Sequence, residues 1–172
     1  MGLLEKDPDM NTMQNLYVEQ LRDLYSAETQ LIDALPKMVE SAHSKSLKKA
    51  FSSHLEETKG QKQRLETIFD KLGEKPTGHT CKGMKGLIAE GEEMLDRDGN
   101  PSVRDAGLIA AAQRVEHYEI SGYGTARQFA SQLGDAEAAR LLEATLHEES
   151  SADQQLNRIA LEEINVTAPL AH

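Results

Sequence analysis

The sequence predicts an all-α protein, a bundle of four long helices with one long connection between the second and the third. Three observations predict it. Apolar residues recur at helical spacing through four long runs, each bounded by Gly, Pro or Ser signals. The apolar residues on offer are Leu, Ile, Ala and Met, with aromatics at 4% and no Trp, which suits helix-on-helix packing. The stretch between the second and third runs is too long for a helical hairpin. The 172 residues fit one domain. Residues 1–10 read as a flexible leader, 11–165 as the bundle domain and 166–172 as a tail.

The first helix is expected from about Asn11 to His43. Its inward stripe is Tyr17, Leu21, Leu24, Tyr25, Glu28, Leu31, Ile32, Leu35 and Met38. Glu28 is the only acid on that stripe; Asp23, Asp33 and Glu40 read as solvated. Pro36 predicts a kink or an early end, because it deletes a helical hydrogen bond and crowds the preceding turn. Ser44-Lys45-Ser46 breaks the chain and offers an N-cap. The second helix runs from about Leu47 to Leu72 and closes at Gly73. Leu47, Ala50, Phe51, His54, Glu57, Thr58, Gln61, Leu65 and Ile68 face inward, while Glu56 and Glu66 point away. Gly78 to Gly83 reads as loop. A short amphipathic helix from about Met84 to Asp96 is expected to cover the bundle or form a dimer contact. Asp98-Gly99-Asn100-Pro101 is a turn.

The third long helix, about Ser102 to Leu133, starts at Pro101 and Ser102. Leu108, Ala112, Val115, Glu116, Glu119, Tyr123, Ala126, Ala130 and Leu133 share one face. Gly134-Asp135 stops it and restarts the chain. The fourth helix, about Ala136 to Ile164, turns Leu141, Leu142, Thr145, Leu146, Glu149, Asp153, Leu156, Ile159 and Ala160 inward, with Glu148 outside. Two hairpins joined by one long crossover make a ferritin-like four-helix bundle.

The inward acids carry the chemistry. Glu28, Glu57, Glu116, Glu119 and Glu149, with His54 beside them, draw on all four helices. At 1.5 Å rise per residue, the acids of both hairpins stand roughly 20 Å from the turn that joins their helices. Several carboxylates at one level of a core cannot all be ionised without cations. Two iron or manganese ions, iron favoured, would neutralise them, since oxygen-rich ligands with an imidazole suit those metals. The usual Glu-x-x-His pattern is reversed here as His54-x-x-Glu57, and the third helix offers Glu116-x-x-Glu119. The set is therefore rich in carboxylate and holds one imidazole.

Each residue also has a plainer reading. The glutamates would be surface charge if the helical faces were mis-phased. His54 either ligates directly or hydrogen-bonds a ligand carboxylate. His117 turns away from Glu116 toward supporting or interface packing, and His147 reads as surface. His43, His79 and His172 fall in breaks or tails. Tyr25 and Tyr123 stand within a turn of Glu28 and Glu119 and either support ligand carboxylates or pack as ordinary core tyrosines. Asp153 is placed to hold an imidazole or a water. His79-Thr80-Cys81 is too sparse for a zinc site.

The net charge of −10 disfavours nucleic acid as a partner. The single cysteine, Cys81, excludes an intramolecular disulfide and suits a reducing cytoplasm. No signal peptide or apolar run long enough to span a membrane is present in the sequence.

Four stretches, Tyr25-Ser26-Ala27-Glu28, His54-Leu55-Glu56-Glu57-Thr58, Val115-Glu116-His117-Tyr118-Glu119-Ile120 and Leu146-His147-Glu148-Glu149, together with Tyr123-Gly124-Thr125, resemble the YciE/YciF family of ferritin-like bacterial stress proteins. The resemblance runs from about Leu16 to Leu161. It implies a ferritin-like bundle, a homodimer, a rubrerythrin-like dimetal centre and a stress-linked role. By analogy, Glu57 and Glu149 would bridge the metals, Glu28 and Glu119 would be terminal or chelating, and Glu116 would complete the set. Three functions are open at this level. One is oxidation of Fe(II) or reduction of peroxide or dioxygen, one is a metal-binding or structural role without turnover, and one is iron storage. The short tail argues against the last.

Overall fold

The computed structural model describes residues 10–170. The expected leader lies outside the described residues as far as residue 9. The helices are α1 (Met13–Ser41), α2 (Lys45–Leu72), α3 (Lys82–Leu95), α4 (Pro101–Gln132) and α5 (Ala136–Ile159). A π-helical turn, Ala160–Ile164, and a last short helix, α6 (Asn165–Thr167), follow α5 without a break. The expected four-helix bundle with a short helix in its crossover is what forms.

Local chemistry sets the helix ends. Thr12, Ser44 and Asp135 accept N–H groups of the first turns of α1, α2 and α5. Asn100 does the same for α4, with Pro101 in the first helical position, where its missing N–H costs nothing. Gly73 ends α2 in the left-handed region at φ 67°, a conformation that L side chains resist.

Contacts fix how the helices run. Leu24 on α1 meets Gly122 on α4, whereas Leu35 shares a cavity wall with Ala112, so the two helices are antiparallel. On the other side, Arg64 reaches Thr145 and Glu148, and Lys71 reaches Asp135 and Glu137, so α2 and α5 are antiparallel too. With α1 and α2 already a hairpin, α4 must begin at the far end of the bundle from where α2 stops. The crossover therefore travels the bundle's length, and α3 is the helical part of that journey. It packs on α1 and α4 through Met84, Leu87 and Ile88.

Two apolar layers close the bundle above and below its middle. One gathers Tyr17, Leu21, Leu65, Phe69, Ala130 and Leu142; the other gathers Leu47, Phe51, Leu108, Leu156 and Ile164. Burying both layers is the main force holding the helices together.

Three expectations change, and one buried acid adds a tie that no expectation covered. α1 passes through Pro36 and ends only at Ser41, because packing along its inner face outweighs one lost hydrogen bond. The fourth long helix is not regular to Ile164: Asn165 donates to the carbonyl of Ala160, five residues back, and the helix continues into the expected tail. Leu133 is exposed as the residue ending α4. Asp105, unremarked in the sequence, is buried and accepts the backbone N–H groups of His43 (2.8 Å) and Ser44 (2.7 Å). It ties α4 to the turn between α1 and α2.

That tie generates a prediction. Asp105→Ala leaves two backbone donors without their charged acceptor and should destabilise the fold by about 3 kcal/mol. A lower urea midpoint at unchanged m value, with a smaller loss in Asp105→Asn, is the expected result.

Candidate metal centre

The middle of the bundle holds polar residues. Glu28, Glu119 and Glu149 have no solvent exposure, Glu116 has 2% and His54 has 6%. Helical phase puts them there. Glu28 continues the Leu21–Leu24 stripe of α1, and Glu116 and Glu119 continue the Leu108–Ala112–Val115 stripe of α4. His54 stands one turn from both Ala50 and Thr58 on the buried side of α2, and Glu149 one turn after Thr145 on α5.

Ligand atoms of His54, Glu116, Glu119 and Glu149 all lie within 4.8 Å of one another. His54 Nε2 is 3.3 Å from Glu116 Oε1 and 3.8 Å from Glu149 Oε2. Glu28 is buried with them, and its Oε1 accepts the Tyr123 hydroxyl. Inside this cluster, Glu28 Oε2, Glu116 Oε2, both carboxylate oxygens of Glu119 and of Glu149, and both ring nitrogens of His54 have no hydrogen-bond partner. Buried polar atoms normally find one.

The electrostatics follow from crowding. Burial first, and the nearby Glu149 second, hold the carboxyls of Glu28 and Glu116 well above the usual carboxylate range. Glu119 is pushed the same way by burial, then by Glu28 and Glu149. Burial raises Glu149 as well, with His54 pulling against it. For His54, burial acts to lower the pKa, but Glu57, Glu149 and Glu148 outweigh it and the pKa is raised. Four buried carboxylates, Glu28, Glu116, Glu119 and Glu149, carry four negative charges when ionised. Two divalent cations would balance them, and the oxygen-rich donor set with one imidazole suits iron or manganese. The donor atoms of His54, Glu116, Glu119 and Glu149, with Glu28 buried beside them, are a chemically suitable set for a metal ion.

Glu57 departs from its expected place. It is exposed at the rim, its Oε2 3.6 Å from His54 Nδ1, and the inward position one residue on belongs to Thr58. At ~100° per residue, three steps from His54 carry a side chain to the edge of the buried face. Tyr25 also differs. Its hydroxyl donates to Glu66 at 3.1 Å rather than to a central carboxylate, so Glu66 does not simply face water. Tyr123 does hold a central carboxylate, but that of Glu28 on α1 rather than that of Glu119, one turn before it on α4. Asp153 does hold an imidazole, but that of the exposed His117 at 3.3 Å, and it also accepts from Gln113.

Two supporting groups were missed. Glu148, expected outside, is half-buried in a two-pronged pair with Arg64 at 2.6 and 2.7 Å, and it also accepts from Gln61. Arg64 donates further to Thr145. Asp23, expected in solvent, accepts the Tyr118 hydroxyl at 2.7 Å and approaches His79 at 2.9 Å. Cys81 is buried at the start of α3 with its thiol 3.0 Å from the same hydroxyl. All these partners are distant in sequence, and helical periodicity alone carries no sign of them.

Residues 12–168 match a family described as a domain of unknown function, DUF892. Protein YciF of Escherichia coli strain K12 is 42% identical over 161 residues, which is 93% of this chain and 97% of that protein. The crystal structure of the E. coli stress protein YciF superposes with a TM-score of 0.87 at 43% identity, over 91% of this chain and 99% of that one. A Rhodopseudomonas palustris protein described as a putative structural protein, YcfI, gives 0.84 at 44% identity, over 88% and 97%. A ferritin-like, diiron-carboxylate protein from Bacillus anthracis gives 0.68 at 18% identity, over 87% and 99%; that likeness is one of fold alone.

The raised carboxyls give a pH prediction for metal-free protein. A carboxyl whose folded pKa exceeds its unfolded one stabilises the fold below the unfolded pKa and loses that contribution as pH rises through the folded value. The melting temperature should therefore fall as pH rises above the ordinary glutamate range of about 4.3, and the fall should be shallower in Glu119→Gln, which has no carboxyl to ionise. Equal slopes in calorimetry of the two proteins would contradict the assignment.

Proposed function

The chain belongs to the YciF-like DUF892 family, and from that premise we propose that its ferritin-like bundle is a dinuclear iron or manganese carboxylate protein, with iron favoured. The observation that carries the reading is the set of eight unpartnered side-chain atoms on Glu28, His54, Glu116, Glu119 and Glu149. A core does not keep so many orphaned polar atoms at one level unless something else completes them.

Glu28, Glu116, Glu119 and Glu149 would hold the ions, with His54 as the nitrogen donor. Glu57, at the rim beside His54, is the residue free to swing toward them. Such ions supply electrons and Lewis acidity toward dioxygen or peroxide when bound. The chain's own residues do the rest. The Tyr123 hydroxyl fixes one oxygen of Glu28 and leaves the other for the centre. Arg64 engages both oxygens of Glu148 and so holds that neighbouring charge away from Glu149. The two apolar layers keep water from the centre from both ends of the bundle.

A second reading has an observation of its own. The R. palustris relative is described as a putative structural protein, and the same site would then stabilise the fold without turnover. The setting for either reading is a homodimer, as the family resemblance implies, in the reducing cytoplasm that the single Cys81 suits.

Metal content separates these proposals from an empty core. Protein loaded anaerobically with Fe(II) should carry about two irons per chain by elemental analysis, and Glu149→Ala clearly fewer. Glu57→Ala should keep more iron than Glu149→Ala, as befits a rim residue. Iron-loaded wild type should oxidise Fe(II) and consume peroxide faster than buffer does. Full iron content with no turnover, and a large drop in melting temperature on chelation, would favour the structural reading. Near-zero iron in wild type would overturn both.

A further inference from the structure

We infer that an apolar passage beneath α3 binds dioxygen and leads it to the His54–Glu116 side of the centre. The inference rests on the dimetal reading for its purpose, though not for its test. Two small cavities, about 30 Å³ each, adjoin in the lower half of the bundle. They share the walls Leu31, Leu35, Met38, Ala112 and Val115. The inner cavity reaches His54, Glu57 and Glu116. The outer one runs under Leu87 and Ile88 of α3 and reaches Lys37 and Glu92, an exposed ion pair at 2.6 Å.

Size and polarity decide the occupant. A cavity of this volume holds about one water-sized molecule. It is far below the ~300 Å³ of a typical ligand pocket, so organic substrates are excluded. The shared wall consists of four aliphatic side chains and one thioether. Along that wall water finds none of the two or more polar partners it needs; the polar lining of the inner cavity is His54, Glu57, Glu116 and Gln155. A peroxide molecule has two hydroxyls to satisfy and meets the same obstacle, and a hydrated cation would have to shed its shell. Dioxygen has neither requirement. At the inner end it meets His54, whose ring nitrogens lie between Glu57 and Glu116 without a hydrogen bond, and the Oε2 of Glu116, which also makes none. The passage exists because α3 roofs the groove between α1 and α4 with side chains that do not fill it.

The test uses dioxygen itself on metal-free, full-length protein. Dissolved under pressure, it is paramagnetic and speeds the relaxation of nearby methyl protons in NMR. Methyls of Leu31, Leu35 and Val115 should respond several times more strongly than those of Leu21 and Leu65, which are as deeply buried in the other half of the core. Ala112→Phe should erase the difference by filling the shared wall. Ala34→Leu, at a half-buried position lining only the outer cavity, gives the same readout with less risk to the fold. In both variants, iron content should match wild type while oxidation of bound Fe(II) by dioxygen slows. Equal relaxation at all five leucine and valine positions would overturn the passage. So would variants that fill it and leave the dioxygen rate unchanged. Failure of wild type to bind iron would instead defeat the dimetal reading, whatever the NMR result.

Discussion

Burying four carboxylates at one level of a helical bundle constrains everything around them. Each carries a large desolvation cost, and each raises the cost of its neighbours. Without cations burial and crowding push these carboxyls toward the protonated form, and cations would favour the charged one. Either way, the surrounding chain must keep the helices at fixed spacing while its centre pushes toward water. The two apolar layers do this from both ends of the bundle. The interactions nearest the centre divide the remaining work. Tyr123 orients Glu28, and Arg64 neutralises Glu148 beside Glu149. A layer of polar residues between two hydrophobic ones also fixes helix register, since sliding α1, α4 or α5 by one turn would carry a buried carboxylate toward an apolar layer.

The crossover answers a different constraint. Because α1 is antiparallel to α4, and α2 to α5, the chain must return along the bundle before α4 can start. α3 makes that return useful. Cys81 caps it and meets Tyr118, which in turn reaches Asp23 on α1. Gly83 lies so close to the Tyr118 ring that a Cβ there would stand 2.6 Å from it. The start of α3 is thus clamped against α1 and α4. Farther along, Leu87 and Ile88 cover the groove only partly, and the outer cavity lies beneath them. Clamp and gap together make α3 a fixed roof over a narrow space.

The centre is uneven in its exposure. Its α1, α4 and α5 members are sealed, whereas the α2 side opens at Glu57. His54 lies between the sealed part and the rim, with a carboxylate on either side of its ring. Ions would enter most easily on that side, where a charged group keeps contact with solvent. The apolar passage approaches from between α1 and α4. Polar and apolar access would thus be separated by the chemistry of the walls rather than by a moving part.

Much of this was legible in the sequence, for one reason. Helical periodicity is local, so Glu28, His54, Glu116, Glu119 and Glu149 could be placed on buried faces before any tertiary contact was known. The break signals gave the number of helices and the long crossover. The same periodicity becomes ambiguous at the edge of a stripe. There Glu57 reads as inside and Glu148 as outside, and the structure reverses both: Thr58 takes the inward position on α2, and Arg64 of α2 draws Glu148 of α5 in. The spacing of Tyr25 from Glu28 leaves open whether it supports a central carboxylate or packs as a core tyrosine, and Glu66 on α2 takes its hydroxyl. Asp105, Cys81 and the cavities under α3 gave no local signal at all. Their roles depend on residues tens of positions away. Sequence alone determined which residues the bundle buries at its middle, because that is a property of one helix at a time. Tertiary structure decided which partners complete them and where space remains, because those depend on how separate helices meet.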